Sequence, residues 1–188
     1  EFALSEVTRL VKYVFDNNKE IHFTQKKVTI SRAEVLKILA LKKPWARQMT
    51  LAFLIHQKKY ASAEDEVFYL AYSKLAKYGC DNNRQRCKAQ ILELSETTGF
   101  VEPVSMGIKK TKWVDDNQIF ETNTYKFQLL TEAESNSEDN QLTIELDINK
   151  KPKFEEMVVQ FISQDEAQAL LTKSQYYNTY KELYEAIG

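Results

Sequence analysis

NNRQRCKAQILELSETTGF, Asn82–Phe100, is the stretch whose reading decides the fold. Cys87, Ile91 and Leu94 are spaced by four and three, which puts them on one side of a helix, and polar residues crowd the other side. The helix is expected to end at Gly99, the residue type that most readily takes the left-handed conformation past a last turn. Just upstream, Ser73–Gly79 (SKLAKYG) reads as a shorter helix, with Ser73 as expected N-cap and Gly79 as its closing residue. Two helices, the second longer, are thus joined by a turn of three to four residues.

Further upstream, Lys43-Pro44 ends one helical run and starts another, because proline disfavours helix in the residue before it and suits a helix's first turn. WARQMTLAFLIHQKKYA, 45–61, is expected to turn Met49, Ala52, Phe53, Ile55 and His56 inward. His56, near the end of that helix, reads as a structural histidine or a partner of the helix dipole. Ser31 with Glu34 forms a capping-box signature ahead of AEVLKILAL. IHFTQKKVTI before it suggests a short strand or extended link, and Ala3–Asn17 has helical apolar spacing. VFYLAY, 67–72, reads as a short strand. Downstream, VEPVSMGIKKTKWVDD and NQIFETNTYKFQLL are two β-rich runs around Asp115-Asp116-Asn117. Thr131–Asn140 is expected to be a polar linker, LTIELDI a strand, and the remainder an amphipathic helical or mixed pair. The low counts of Gly (4) and Pro (3) favour a helix-rich chain.

The polar face of 82–100 carries the functional signal. Asn82, Asn83, Arg84, Gln85, Arg86, Lys88 and Gln90 lie within its first two turns. Arginine pairs two-pronged with guanine, and asparagine and glutamine with adenine. Ser73 and Lys74, at the start of the shorter helix, suit phosphate contacts, as does the N-terminus of the longer one. Lys109, Lys110 and Lys112 cluster beside Trp113 in the β-rich region and could follow a phosphate backbone. Trp113 itself reads either as packing beneath that hairpin or as stacking on a sugar.

SKLAKYG followed by NNRQRCKAQILELSETTGFVEPV resembles the winged helix-turn-helix superfamily. Leu75, Ala76, Ile91, Leu94, Gly99 and Phe100 fill core and turn positions of that pattern, and Tyr125–Phe127 suits the aromatic closure of its hairpin. The resemblance covers roughly residues 45–130. It implies an α+β fold, mostly helical with a small antiparallel wing, that holds double-stranded DNA. The texture also resembles replication initiators and regulators of plasmids, phages and other mobile elements. The hairpin is longer than a minimal wing. The expected organisation is an N-terminal helical extension (1–44), the winged-helix domain (45–130) and an acidic C-terminal appendage (131–188).

Charge is distributed unevenly around a net of −1. Lys26–Tyr60 carries nine basic residues and one acid, Tyr72–Lys112 eight and four, and Thr131–Gly188 five and twelve. That reads as a basic reader with an acidic appendage, or as scattered solvated lysines. Tyr176, Tyr180 and Tyr184 are spaced by four, which gives a stripe that either packs on the chain's own core or serves a homodimer or protein partner. Such partners keep open a second class, a winged-helix interaction module without DNA contact. Catalysis is the least supported class. Cys87 faces inward without a base, the four glycines form no phosphate loop, and Asp115-Asp116 and Glu155-Glu156 have no further ligands beside them. Two cysteines and two histidines do not suffice for a structural zinc site, so neither a metal nor a cofactor is expected. The thiols Cys80 and Cys87 are expected to be reduced in a cytoplasmic protein. No apolar run approaches the roughly 20 residues that span a bilayer, and no signal peptide is visible, so no membrane partner is expected.

Overall fold

The computed structural model describes residues 27–61, 66–106, 111–114, 117–120, 123–147 and 151–187, and the helix expected over Ala3–Asn17 lies outside them. Strand β1 (Lys27–Ser31) turns Val28 and Ile30 inward, and its last residue caps helix α1 (Arg32–Leu39). The capping box forms in full: the Glu34 N–H donates to Ser31 Oγ at 3.3 Å, and the Ser31 N–H donates to Glu34 Oε2 at 2.8 Å. Helix α2 (Pro44–Tyr60) begins with its proline where the missing N–H costs nothing. Every residue from Met49 to Gln57 is buried. The expected single stripe is wider because a sheet, four helices and β1 all lean on α2.

The sheet is antiparallel, with strand order β2–β6–β3. Strand β2 is Phe68–Tyr69, β3 is Val101–Ser105 and β6 is Thr124–Phe127. Central β6 alternates, so Tyr125 and Phe127 face α2 while Lys126 faces outward. Phe53 of α2 meets Tyr125 edge-on at 5.1 Å and stacks on Phe127 at 5.9 Å, which fixes the sheet against the helix. Pro103, which has no N–H to donate, is tolerated because β3 is an edge strand, and the register slips beside it between Pro103 and Ser105. A separate hairpin pairs β4 (Thr111–Val114) with β5 (Asn117–Phe120), Val114 opposite Asn117. It falls between β3 and β6, around the turn expected at Asp115-Asp116. Between β2 and β3 lie α3 (Tyr72–Lys77) and α4 (Arg84–Thr98).

The C-terminal third departs from expectation in two places. Thr131–Asn140 is not a structureless linker. It holds α5 (Glu132–Ser135), with a second complete capping box between Thr131 and Glu134, and α6 (Glu138–Gln141). Strand β7 (Thr143–Asp147) then pairs along its whole length with β1, from Lys27 opposite Asp147 to Ser31 opposite Thr143. Helix α7 (Phe154–Phe161) buries Phe154, Met157 and Val158. After α8 (Gln164–Leu170) and α9 (Lys173–Gln175), a π-helical turn (Tyr176–Tyr180) leads into α10 (Lys181–Glu185). The tyrosine stripe is spent internally: Tyr176 and Tyr180 are buried in the same apolar cluster as Phe53 and Ile91, and the half-buried Tyr184 packs against it. Of the two readings of the stripe, packing on the chain's own core is the one found, since spacing by four holds its residues over α7 and leaves Tyr177 exposed. The described chain is mostly helical with small antiparallel sheets, an α+β protein. Among the described residues no helix is long and apolar enough to cross a membrane.

Candidate nucleic-acid interface

Helix α4 is placed by its apolar side. Cys87 and Ile91 are fully buried and Leu94 nearly so, at the spacings anticipated. Its N-cap is Asn83, whose side-chain oxygen accepts from the Arg86 N–H at 3.0 Å, and Gly99 closes it at φ +70°. Helix α3 has a different cap from the one expected. Ala71, not Ser73, holds the N-cap position, and its carbonyl accepts from the Lys74 and Leu75 N–H groups. The physical reason is the abrupt turn after β2: Leu70 is buried and its N–H is tied to Asn123 O at 3.1 Å, so the helix starts two residues early. Ser73 sits exposed within the first turn of α3.

The turn between α3 and α4 is held from behind by α2. Gly79 has φ +87°, and a β-carbon there would lie 2.9 Å from the Gln48 side chain, so both conformation and space select glycine. Gln48 Nε2 donates to Tyr78 O at 2.5 Å and to Pro152 O at 2.8 Å, joining α2, the turn and the entry to α7. His56 makes a second tie. Its Nε2 lies 2.7 Å from Tyr69 O, and a carbonyl only accepts, so that nitrogen carries the proton. Its Nδ1 then accepts from the Tyr78 hydroxyl at 3.2 Å. Burial lowers the His56 pKa to about 4, which keeps the ring neutral and structural. Cys80 and Cys87 are free thiols, and burial raises the pKa of both, Cys80 to about 12. Cys87 Sγ donates to Asp81 O at 2.9 Å, fastening the turn to the helix. Among the described residues no three metal-ligating side chains gather.

Arg84, Gln85, Arg86 and Lys88 are exposed on α4, with Gln90 half-buried at the side, whereas Asn82 and Asn83, expected within the first two turns, are exposed just ahead of the helix because Asn83 serves as its N-cap. Arg84 lies with its guanidinium 5.5 Å from the Tyr72 ring centroid, a cation–π contact that leaves its N–H groups open. Lys74 on α3 is half-buried. Arg84, Lys88, Lys74 and Lys77 make no ion pair with any described residue. Lys109 and Lys110 lie outside the described residues. Lys112 is placed on β4 opposite Ile119, by backbone pairing alone.

Asp81 is the residue that the sequence reading passed over. It accepts from the Asn83 N–H at 2.7 Å through Oδ1 and from Arg86 Nη1 at 2.7 Å through Oδ2. These two donors, the backbone one first, hold its carboxyl below the usual carboxylate range. The signal was present in the sequence as Asp81-x-Asn83 ahead of a helix, a pattern in which aspartate bonds the backbone two residues on.

The charge of Lys26–Tyr60 also looks different once folded. Arg32 bridges Asp139 and Glu166, Lys37 bonds Glu134 at 2.6 Å and Lys27 bonds Glu145 at 2.7 Å, all of these acids coming from the C-terminal third. Lys58 pairs with Glu34 at 2.7 Å and Lys43 pairs with Glu93 of α4. The buried Arg47 donates to Leu41 O at 2.6 Å and to Tyr180 Oη at 3.5 Å. Much of the basic surplus of this segment is answered inside the molecule. Compared with protein-family models, curated proteins and solved structures, the chain matches none.

Proposed function

We propose that this chain is a winged helix-turn-helix protein that holds duplex DNA with sequence preference, in replication initiation or transcriptional control of a plasmid, phage or other mobile element. One observation carries the reading: α4 turns Cys87, Ile91 and Leu94 into the core and exposes Arg84, Gln85, Arg86 and Lys88 on its first two turns, with Asn82 exposed just ahead of them. In helix-turn-helix recognition the second helix enters the major groove and its N-terminal residues meet base edges. The order α2, β2, α3, α4, β3, hairpin, β6 agrees with that reading. In it, Lys109, Lys110 and Lys112 ride on the hairpin and touch phosphate, as do Lys74, Ser73 and the start of α4.

A homodimer would lengthen the site read. With Tyr176 and Tyr180 buried at home, the amphipathic Ala3–Asn17 segment is its proposed contact. Light scattering on the full chain and on a version starting at Lys26 tests this. An unchanged dimer mass would move the contact elsewhere, and a monomeric full chain would remove the dimer.

The second reading is a winged-helix module that binds protein alone. It is favoured by the internal neutralisation of Lys27, Arg32 and Lys37, which leaves fewer cations for a polyanion. A salt series of duplex titrations separates the two. DNA binding through several phosphates predicts that affinity falls by about 10³ between 50 and 200 mM salt. Absence of any complex at 50 mM would leave the protein-binding reading standing.

A further inference from the structure

Arg84 and Arg86 are both exposed in the first turn of α4 but lie about 200° apart around its axis, and they are held in different ways. Arg84 rests on an aromatic ring, which fixes its plane and spares its donors. Arg86 is held by a carboxylate that is itself immobilised. Asp81 has one oxygen on the Asn83 backbone and the other on Arg86 Nη1, each at 2.7 Å. The loop closes a second way, because the Arg86 N–H donates to the Asn83 side chain at 3.0 Å. The Arg86 side chain nevertheless remains 66% exposed, while Asp81 is 27% exposed. Only Nη1 is engaged, so the edge formed by Nε and Nη2 has no partner among the described residues.

That geometry suits one task better than another. An arginine that only needs a phosphate works best without a fixed carboxylate beside it, since the carboxylate repels the same phosphate. An arginine that must meet guanine O6 and N7 side by side benefits from having its plane set in advance, because less rotamer freedom is lost on binding. The carboxylate then also discourages docking on non-cognate DNA.

We propose that Asp81 is a positioning residue that presents the free edge of Arg86 to guanine in the major groove. The proposal rests on the DNA-binding reading above and adds a base and a residue pair to it. Asp81 lowers the general affinity for duplex and raises discrimination. Removing its charge therefore moves these two quantities in opposite directions, which a merely structural residue does not do.

The test is enrichment of bound duplexes from a random-sequence pool by the full-length protein, followed by titration of the enriched consensus and of its single-base variants. Wild-type protein is expected to enrich a site with at least one strongly preferred guanine. Arg86→Ala should lose that preference by about tenfold or more, and Arg86→Lys should not restore it. Asp81→Asn keeps an oxygen for the Asn83 N–H but gives up the charged bond. It should lose most of the guanine preference while binding random duplex about threefold more tightly. Asp81→Glu should recover part of the preference. In the double variant Asp81→Asn/Arg86→Ala the guanine losses should not add, because both remove one interaction. Unchanged guanine preference in Asp81→Asn would overturn the proposal and leave DNA binding standing. Loss that adds fully to that of Arg86→Ala, or that falls equally on all duplexes, would also overturn it, since Asp81 would then only support the fold. A wild-type protein that enriches nothing would remove the DNA reading and this inference together.

Discussion

Lys27, Arg32 and Lys37 each face a carboxylate delivered from the C-terminal third, whereas Lys74, Lys77, Arg84 and Lys88 face no described carboxylate at all. In the sequence the two neighbourhoods look alike, both with a surplus of positive charge, and the first has the larger one. In the fold the first is a seam. Its cations lie under 3 Å from acids that arrive more than 90 residues later in the chain, and paired opposite charges project little field beyond a screening length of about 8 Å. In the second neighbourhood only Arg86, held by Asp81, is paired among the described residues, and the other cations stay uncompensated because α4 needs only its apolar side for packing. A count of charges over a sequence window therefore says where cations are made, and long-range contacts decide where they act.

The comparison can be broken most directly by neutralising each set. Arg84→Ala with Lys88→Ala should weaken duplex binding by about 100-fold at moderate salt and flatten the salt slope by nearly two. Lys27→Ala with Lys37→Ala should change it by no more than about twofold, since those charges are already answered. Equal losses in anisotropy titrations would show that the seam opens on DNA, and the distinction between the regions would fall.

Acid separates the two regions by different pH windows. The folded His56 pKa is about 4 against 6.5 for a free ring, so the unfolded chain takes up a proton that the native one refuses. Stability should therefore fall as pH drops from about 6.5 toward 4 and level off below that, with a loss on the order of 2–3 kcal/mol. That loss belongs to the α2–β2–α3 junction behind the α3–α4 turn. On the seam, Glu134 is lowered from 4.5 to about 2, chiefly by Lys37 and then by the Thr131 N–H. Its contribution is present above 4.5 and disappears as pH falls toward 2. Denaturant midpoints measured against pH in wild type and His56→Gln resolve the upper window. A flat wild-type profile between 6.5 and 4 would refute the assignment.

Arg32 sharpens the seam itself. Its side chain is 19% exposed and its guanidinium bridges two acids on separate elements, so Arg32→Met leaves Asp139 and Glu166 without their cation. Urea unfolding should show a loss of about 2 kcal/mol, below the value for a fully buried pair because both acids keep solvent. Affinity of the folded protein for duplex should stay the same.

The smallest effect is expected at Glu93, the one acid of α4 that reaches across to the N-terminal set through Lys43. Both partners are well exposed, so Glu93→Gln should change stability by no more than about 0.5 kcal/mol. It frees one lysine and removes one negative charge from α4, so on the DNA-binding reading duplex affinity should rise by about twofold at low salt.

Local signals carried much of this into the sequence. Ser31 with Glu34, Pro44, Asn83 before a helix and Gly99 after it each act within a turn of the backbone, and each is where its residue type demands. The inward set Cys87, Ile91 and Leu94 was legible for the same reason, and with it the outward set on α4. Thr131-x-x-Glu134 was equally legible as a capping box, but a stretch so poor in apolar residues gave no reason to expect helix, and α5 is held mainly by that cap and by Lys37. Ser73 failed as a cap because a tertiary bond at Leu70 fixed where α3 starts. The seam could not be read at all: it needs Arg32 to meet Glu166, and nothing in either neighbourhood announces the other. The same holds for the tyrosines, whose period showed a stripe but not which surface it covers.

The pairing of β1 with β7 has a consequence for the chain as it is made. Its two strands are separated by more than 100 residues, so at ordinary rates of synthesis β1 waits several seconds, roughly 6–20 s, for its partner. Over that interval α1 and β1 present Lys27, Arg32 and Lys37 without the acids that later mask them, beside an open strand edge. The nascent protein is thus more cationic on this side than the finished one. Closing the long loop is the late event that both completes the small sheet and silences that charge.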